Sequence, residues 1–425
     1  MRQQATGNRQ QATGNRQQAT GNRQQATGNR QQATGYLVPL DALRGIAAFI
    51  VVFAHYLSSG QLRDGSLLDI VSGVANCSSA LAVQLFFVIS GFVFCKLYRE
   101  KIGSGDMPFR QYALLRFSRL FPLYWLTFFI VVASMLIGGV AYVFTPRDLV
   151  LNFFMVNQWA AEFIFNAKAM FGVNLGVAPF EYIPPAWSVS NELIAYVVFF
   201  AAVYFSRGKS KVIFVLAAIF EVVAFAYLLA FYQNAGFFDF QAHGTTRCLA
   251  GFFCGAATYL LYTRAKVKGD KFIAKLKPIC LVIIALSVVG FAYALFSTLP
   301  RTIEMWFRFY TALNFANATF CPALVVLSLE LKPFSRVLST KILRRIGELS
   351  YGIYLWGGVT LMFVFGADEP TRQNFALFHW FNGAKLLHFV VYAVFVLILA
   401  ELSYRFLERP AQKFLRGRAK KSTTR

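Results

Sequence analysis

The sequence predicts an all-α, polytopic membrane protein: a bundle of about ten transmembrane helices with both termini in the cytoplasm. Three observations predict it. Hydrophobic residues make up 57% of the 425 and charged residues 14%, with mean hydropathy +0.51, which moves the chain from the soluble globular class into the membrane class. The apolar residues gather into ten runs of a length suited to crossing a bilayer core of about 30 Å as helices. Of the 42 Lys and Arg, 33 fall in the two termini and in alternate connections, against seven in the connections between them. That asymmetry marks the cytoplasmic side. It also removes nucleic acid as a partner, because the formal charge of +23 is broken into short clusters between apolar runs and forms no single basic face.

Taken in order, residues 2–36 are five copies of RQQATGN, the last ending in Tyr36. Each copy has Ala as its one apolar residue and carries a Gly, so there is no a/d seam and no coiled coil. Residues 1–35 read as a disordered polar tail, with the look of an in-frame duplication. They are no secretory leader, because the apolar stretch starts too late. A transmembrane domain at 36–410 follows, with spans predicted at 37–57, 80–98, 121–143, 187–205, 212–232, 247–262, 278–298, 306–329, 350–366 and 386–407. Residues 411–425 read as a basic cytoplasmic tail. The longest outer connection, 144–186, contains the apolar run LVLNFFMV and ends in Pro184-Pro185; it reads either as a functional loop or as a packed cap. The six cysteines show no metal-ligand spacing, and no zinc motif, Gly-rich phosphate loop or nucleophile elbow is present.

The first span carries three ionisable residues, Asp41, Arg44 and His55. At about 100° per residue, Arg44 and His55 lie about 20° apart around the helix after three turns, and Asp41 falls about 40° from His55. Ala48 and Val52 complete the stripe. Ionisable groups in a span are costly and face a bundle interior. The rise of about 1.5 Å per residue separates Arg44 from His55 by about 16 Å, Arg44 toward the cytoplasm and His55 toward the outside. The competing reading is an Arg snorkelling to headgroups and a His at the opposite interface.

Other polar groups lie within or beside spans. Ser90-Gly91 sits in FFVISGFVF near mid-membrane, where small residues permit close helix approach. PPAWSVSNELIAY opens the fourth span and carries Ser188 and Glu192, the latter at about the depth of His55. A carboxylate there needs a partner, and a His oriented by a carboxylate is a general base. Arg110, Arg116 and Arg119 precede the third span. Arg116 and Arg119 share a helix face and either obey the positive-inside rule or bind phosphate.

In this order, LDALRGIAAFIVVFAHY, FFVISGFV, RFSRLFPLYW, WSVSNELIAY, LSYGIYLW and LERP resemble the acyltransferase 3 family of membrane-bound O-acyltransferases, over about residues 37–410. The resemblance implies transfer of an acyl group, commonly acetyl, from cytoplasmic acyl-CoA to a hydroxyl of a cell-surface carbohydrate or lipid-linked glycan, in the plasma (inner) membrane of a bacterium. It implies no permanently bound cofactor and no metal. By it, Arg44 and His55 match the family's signature pair, and Glu192 the carboxylate of its Trp-Ser motif. Arg44, Arg116 and Arg119 are then expected to hold the donor, and His55 with Glu192 to carry the chemistry. Ser90 and Ser188 are reserve donors to the oxyanion. One departure is Gly357, where relatives often have His. Another is that no hydrolase-like domain follows the last span, so the bundle itself is expected to handle the acceptor. The alternative class is a carrier or flippase for an acylated or lipid-linked glycan, which also places charges inside a bundle; no internal repeat of the kind such carriers often have is visible.

Overall fold

The computed structural model describes residues 37–58, 67–137, 145–171, 173–176, 182–183, 185–233, 244–296, 303–363 and 385–421. The repeat tail predicted at 1–35 lies outside the described residues. The described part of the chain is helical, with no strand. In chain order the helices are α1 Val38–Ser58, α2 Leu67–Gly103, α3 Phe109–Ile137, α4 Pro146–Phe153, α5 Asn157–Phe171, α6 Ala186–Phe205, α7 Ser210–Gln233 and α8 Gly244–Val267. They continue with α9 Asp270–Phe296, α10 Ile303–Ala318, α11 Phe320–Glu330, α12 Lys332–Leu338, α13 Lys341–Glu348, α14 Ser350–Phe363 and α15 Lys385–Ser403. A π-helical turn, Tyr404–Glu408, leads into α16, Arg409–Lys421.

A helix stands at each of the ten predicted spans, and among the described residues eight segments are long and apolar enough to cross a membrane. The two that fall short do so for different reasons. Helix α14 has 14 described residues, too few for the criterion. Helix α8 has the length but carries Thr245, Thr246, Arg247 and Thr258. It can do so because protein rather than lipid surrounds it: Arg247, Cys248, Ala250, Phe252, Phe253 and Ala256 are all buried. At the other extreme α9, apolar beyond the charged residues of its first two turns, is mostly exposed, as a lipid-facing helix at the rim should be.

The core is the crossing of α2 and α8. A Cβ on Gly91 would run into the carbonyl oxygen of Phe252, and one on Gly255 into the carbonyl oxygen of Val88. The two backbones therefore touch through reciprocal glycines, the small-residue contact that bilayer helices use where no hydrophobic drive holds them together. Gly91 takes the packing role its sequence context suggested, and Ser90 is buried beside it.

One boundary differs from the sequence reading, and two further segments take a defined structure. The eighth span is two helices, broken at Thr319, because Pro322 has no N–H and its ring crowds the carbonyl four residues earlier. The outer connection 144–186 contains α4 and α5 and is a packed cap. Tyr124 and Trp125 of α3 donate to the Asn152 and Phe153 carbonyls at 2.7 and 3.0 Å, and Trp159 of α5 donates to the Ser190 carbonyl of α6 at 2.9 Å. The basic tail is not a free strand of charge: most of it forms α16, which packs along α3.

The glycine crossing makes a prediction. Gly255→Val should force α2 and α8 apart and cost on the order of 1–3 kcal/mol, as overpacking typically does. Gly290→Ala, where an added Cβ meets nothing within 4 Å, should leave stability unchanged or raise it slightly. Thermal melting of detergent-solubilised protein tests the contrast; equal melting temperatures would contradict the close crossing.

Candidate active site

The middle of the stripe on α1, between Arg44 and His55, faces the interior. Ala48 is 0% and Val52 4% exposed, and both ends of the stripe are set by close backbone packing. Near its start, a Cβ on Gly45 would come within 2.7 Å of the Gly347 nitrogen on α13, and Gly347 in turn lies against the Asp41 carbonyl. Further along, Gly357 of α14 lies directly against the Val52 side chain. The next residue, Gly358, lies against Pro185 at the start of α6. Helix α14 thus bridges α1 to α6, and no side chain at 357 fits without parting α1 from α14.

Around Arg44 the structure gathers charges from three helices. Arg44 lies in the electrostatic field of Arg119 on α3, Glu192 and Tyr196 on α6, and Asp41 one turn back on α1. Arg119 shares the same neighbours, Tyr196, Asp41 and Glu192. Arg116, one turn before Arg119, sits in an aromatic cradle. Its guanidinium carbon is 4.7 Å from the Phe94 ring centre, 4.8 Å from Tyr98 and 5.9 Å from Tyr196, and it donates a hydrogen bond to the Tyr98 hydroxyl. Phe94 and Tyr196 are stacked at 4.3 Å and 13°, while Tyr112 donates to the Tyr196 carbonyl at 3.0 Å and fixes that turn of α6.

None of the ion pairs formed among the described residues uses Arg44, Arg116 or Arg119. Arg44 Nε, Arg116 Nε and Glu192 Oε1 are buried with no hydrogen-bond partner. The three guanidiniums all act on Tyr196, with Glu192 and Asp41 as the carboxylates in the field of Arg44 and Arg119 and no ion pair to either among the described residues.

His55 stands at the other end of the stripe, with its side chain exposed. Its Nδ1 lies 2.8 Å from the Val51 carbonyl. A carbonyl oxygen can only accept, so Nδ1 carries the hydrogen, and in the neutral imidazole the lone pair is left on Nε2. The neighbouring Tyr56 packs against Phe389 and Tyr392 of α15, which holds this turn of α1 to the bundle.

The structure does not form the expected His55–Glu192 pair. No hydrogen bond or ion pair joins them, and Glu192 shares its field with Arg44 and Arg119 instead. The physical reason is that buried guanidiniums need a counter-charge more than a neutral imidazole does. Ser188 bonds to the Tyr354 hydroxyl of α14 at 2.7 Å, close to where α14 meets both α1 and α6. Ser90 lies at the α2–α8 crossing, and no hydrogen bond links it to His55, Arg44 or Glu192. The aromatic cradle of Phe94, Tyr98 and Tyr196 was not singled out in the sequence. Its one signal there was Tyr196, a helical turn beyond Glu192.

Residues 38–405 match the family described as an acyltransferase domain. The chain belongs to the acyltransferase 3 family. Among curated proteins it is similar to the putative peptidoglycan O-acetyltransferase YrhL of Bacillus subtilis, 23% identical over 386 residues, covering 88% of this chain and 55% of that protein. It is similar to O-acetyltransferase OatA of Staphylococcus aureus, 23% identical over 393 residues, covering 89% of this chain and 57% of that protein. It also resembles Protein 2 in picA locus of Rhizobium radiobacter, 30% identical over 187 residues, covering 43% of this chain and 90% of that protein. The chain therefore spans little more than half the length of the two O-acetyltransferases. No solved structure matches it. Arg44, His55, Arg116, Arg119 and Glu192 all fall within the part of the chain that matches the acyltransferase 3 family.

A second polar group sits where the cap meets the bundle. Glu162 of α5 accepts from the Thr245 backbone N–H at 3.0 Å and from its hydroxyl at 2.7 Å. That hydroxyl also lies 3.0 Å from Asn191 Oδ1. Burial pushes the Glu162 carboxyl up to about 7, against the pull of the Thr245 hydrogen bonds. Because its folded value is above its unfolded one, the protonated form favours the fold, and stability should fall as pH rises from about 4.5 through about 7. Glu162→Gln keeps an acceptor oxygen and has no proton to lose, so its melting temperature should fall less between pH 5 and pH 8 than that of the wild type. Identical pH slopes would show that this carboxyl does not titrate in that range.

Proposed function

We propose that this member of the acyltransferase 3 family is an integral membrane O-acyltransferase of a bacterial plasma membrane. It moves an acetyl group from cytoplasmic acyl-CoA to a hydroxyl of a cell-surface carbohydrate or lipid-linked glycan. The observation that carries the reading is the stripe of α1, with guanidiniums that enter no ion pair among the described residues at one end and an imidazole with its Nε2 lone pair available at the other. The names of YrhL and OatA support the choice of acetyl and of a carbohydrate acceptor.

In this reading the alternation of basic connections puts the Arg44 end at the cytoplasm. Arg44, Arg116 and Arg119 hold the donor's phosphates by charge-assisted hydrogen bonds. Glu192 and Asp41 hold Arg44 and Arg119 in place when no donor is bound. The rise of about 16 Å along α1 is the reach required of the thioester arm. At the far end, His55 Nε2 takes the proton of the acceptor hydroxyl, and the oxygen attacks the thioester carbonyl. The C–S bond then breaks and the imidazolium returns its proton to the departing sulfur. The same lone pair also serves a route through an acyl-imidazole, in which the acyl group passes from sulfur to Nε2 and then to the hydroxyl. The Ser188–Tyr354 hydroxyl pair supplies an O–H donor to the developing oxyanion.

The two ends have separable jobs. His55→Ala should lower single-turnover transfer by about 10²- to 10⁴-fold, the typical worth of general base catalysis, while donor binding changes little. Arg44→Ala should weaken donor binding, and Arg44→Lys should restore it only in part, for want of the bidentate fork. Measured on purified variants with insertion checked first, near-normal turnover and donor affinity in both alanine variants would move the carrier reading ahead.

Orientation is tested independently. Reporter fusions at Lys209, Lys271 and Arg418 should read cytoplasmic, and fusions near Gln241 and Arg372 should read outside. One inverted pair would break the ten-span topology.

A further inference from the structure

The chain does not leave the bundle at the end of α15. The π-helical turn Tyr404–Glu408 redirects it into α16, which lies along α3, the helix that carries Arg116 and Arg119. The root of α16 is anchored by ordinary ion pairs. Arg345 of α13 grips Glu401 with two nitrogens at 2.7 and 3.0 Å, pairs with Glu348 at 2.6 Å and covers the Tyr404 ring at 4.6 Å. Arg405 also pairs with Glu401. Every arginine in that network has a carboxylate.

Arg416, two turns into α16, is different. Its one hydrogen bond goes to the neutral Gln412 side chain at 3.4 Å, and no ion pair among the described residues includes it. Its guanidinium acts on Tyr98, Arg116, Arg119 and Tyr404. Those neighbours come from α2, α3 and the π turn, and two of them already belong to the arginine site. The Arg416 side chain is exposed, so water screens it from its like-charged neighbours and leaves it open to an anion that approaches along α16.

We propose that Arg416 is a donor-binding residue and that α16 is the outer wall of the anion site, placing a fourth guanidinium against the phosphorylated nucleotide half of acyl-CoA. This rests on the donor reading of Arg44, Arg116 and Arg119, and adds to it where the nucleotide lies: between α3 and α16, outside the stripe that leads to His55. The shared chemistry is a phosphate ester, which inner-leaflet phospholipid headgroups also carry, so the test separates the two.

The full-length chain in zwitterionic nanodiscs is assayed with acetyl-CoA and with acetyl-pantetheine, which lacks the phosphates and nucleotide. Arg416→Ala should raise the KM for acetyl-CoA about tenfold, the worth of one charge-assisted hydrogen bond, with kcat retained. The preference for acetyl-CoA over acetyl-pantetheine should fall by the same factor, and Arg416→Lys should recover part of it. Equal losses with both donors, or no change with either, would overturn the assignment. So would an Arg416→Ala variant that loses only its response to added anionic lipid, since Arg416 would then hold a headgroup. Arg116→Ala in the same assay keeps the two levels apart. If Arg116→Ala raises the acetyl-CoA KM and Arg416→Ala does not, the α16 wall alone fails. If neither does, the donor reading of the whole cluster fails with it.

Discussion

A guanidinium inside a bilayer has to be enclosed by protein and given counter-charge and hydrogen-bonding groups. That requirement at Arg44 organises much of this structure. It draws Glu192 of α6 and Asp41 of α1 into one field shared with Arg119 of α3. These groups come from helices far apart in the chain. Tyr196 closes the group from below, stacked on Phe94 of α2, so the site is tied to the central crossing by a ring contact rather than by a charge.

The crossing itself depends on the absence of side chains. Gly91 and Gly255 let α2 and α8 meet at backbone distance, and the same device recurs where α1 meets α13 through Gly45 and Gly347, and α14 through Gly357. Apolar side chains cannot supply this specificity, because lipid offers them equally good surroundings. The α1 contacts made through glycine hold the helix that carries Arg44 and His55, whereas α9, which contributes nothing to the site, is mostly exposed.

The two ends of α1 are built differently. The Arg44 end is crowded with aromatic rings and like charges. The His55 end is open, its imidazole oriented by its own helix through the Val51 carbonyl rather than by a distant carboxylate. In the proposed mechanism, a base oriented within its own helix keeps its orientation whether or not the donor is bound.

Much of this was legible in the sequence. Hydropathy and the 33-to-7 division of basic residues determine an all-helical membrane chain, and the bilayer imposes that outcome because every backbone group must be bonded within its own segment. The spacing of Asp41, Arg44 and His55 determines one interior stripe, because helical periodicity is local. Whether Glu192 serves His55 or Arg44 was not legible. Depth along a span is shared by many residues, and only packing decides which of them meet. The break at Thr319 comes from Pro322, which sits inside an otherwise continuous apolar run. The role of α14 as a bridge and the return of α16 onto α3 carry no signal in one dimension, and the aromatic cradle of Arg116 carries only Tyr196. They arise from contacts between segments up to hundreds of residues apart, and tertiary structure alone decided them.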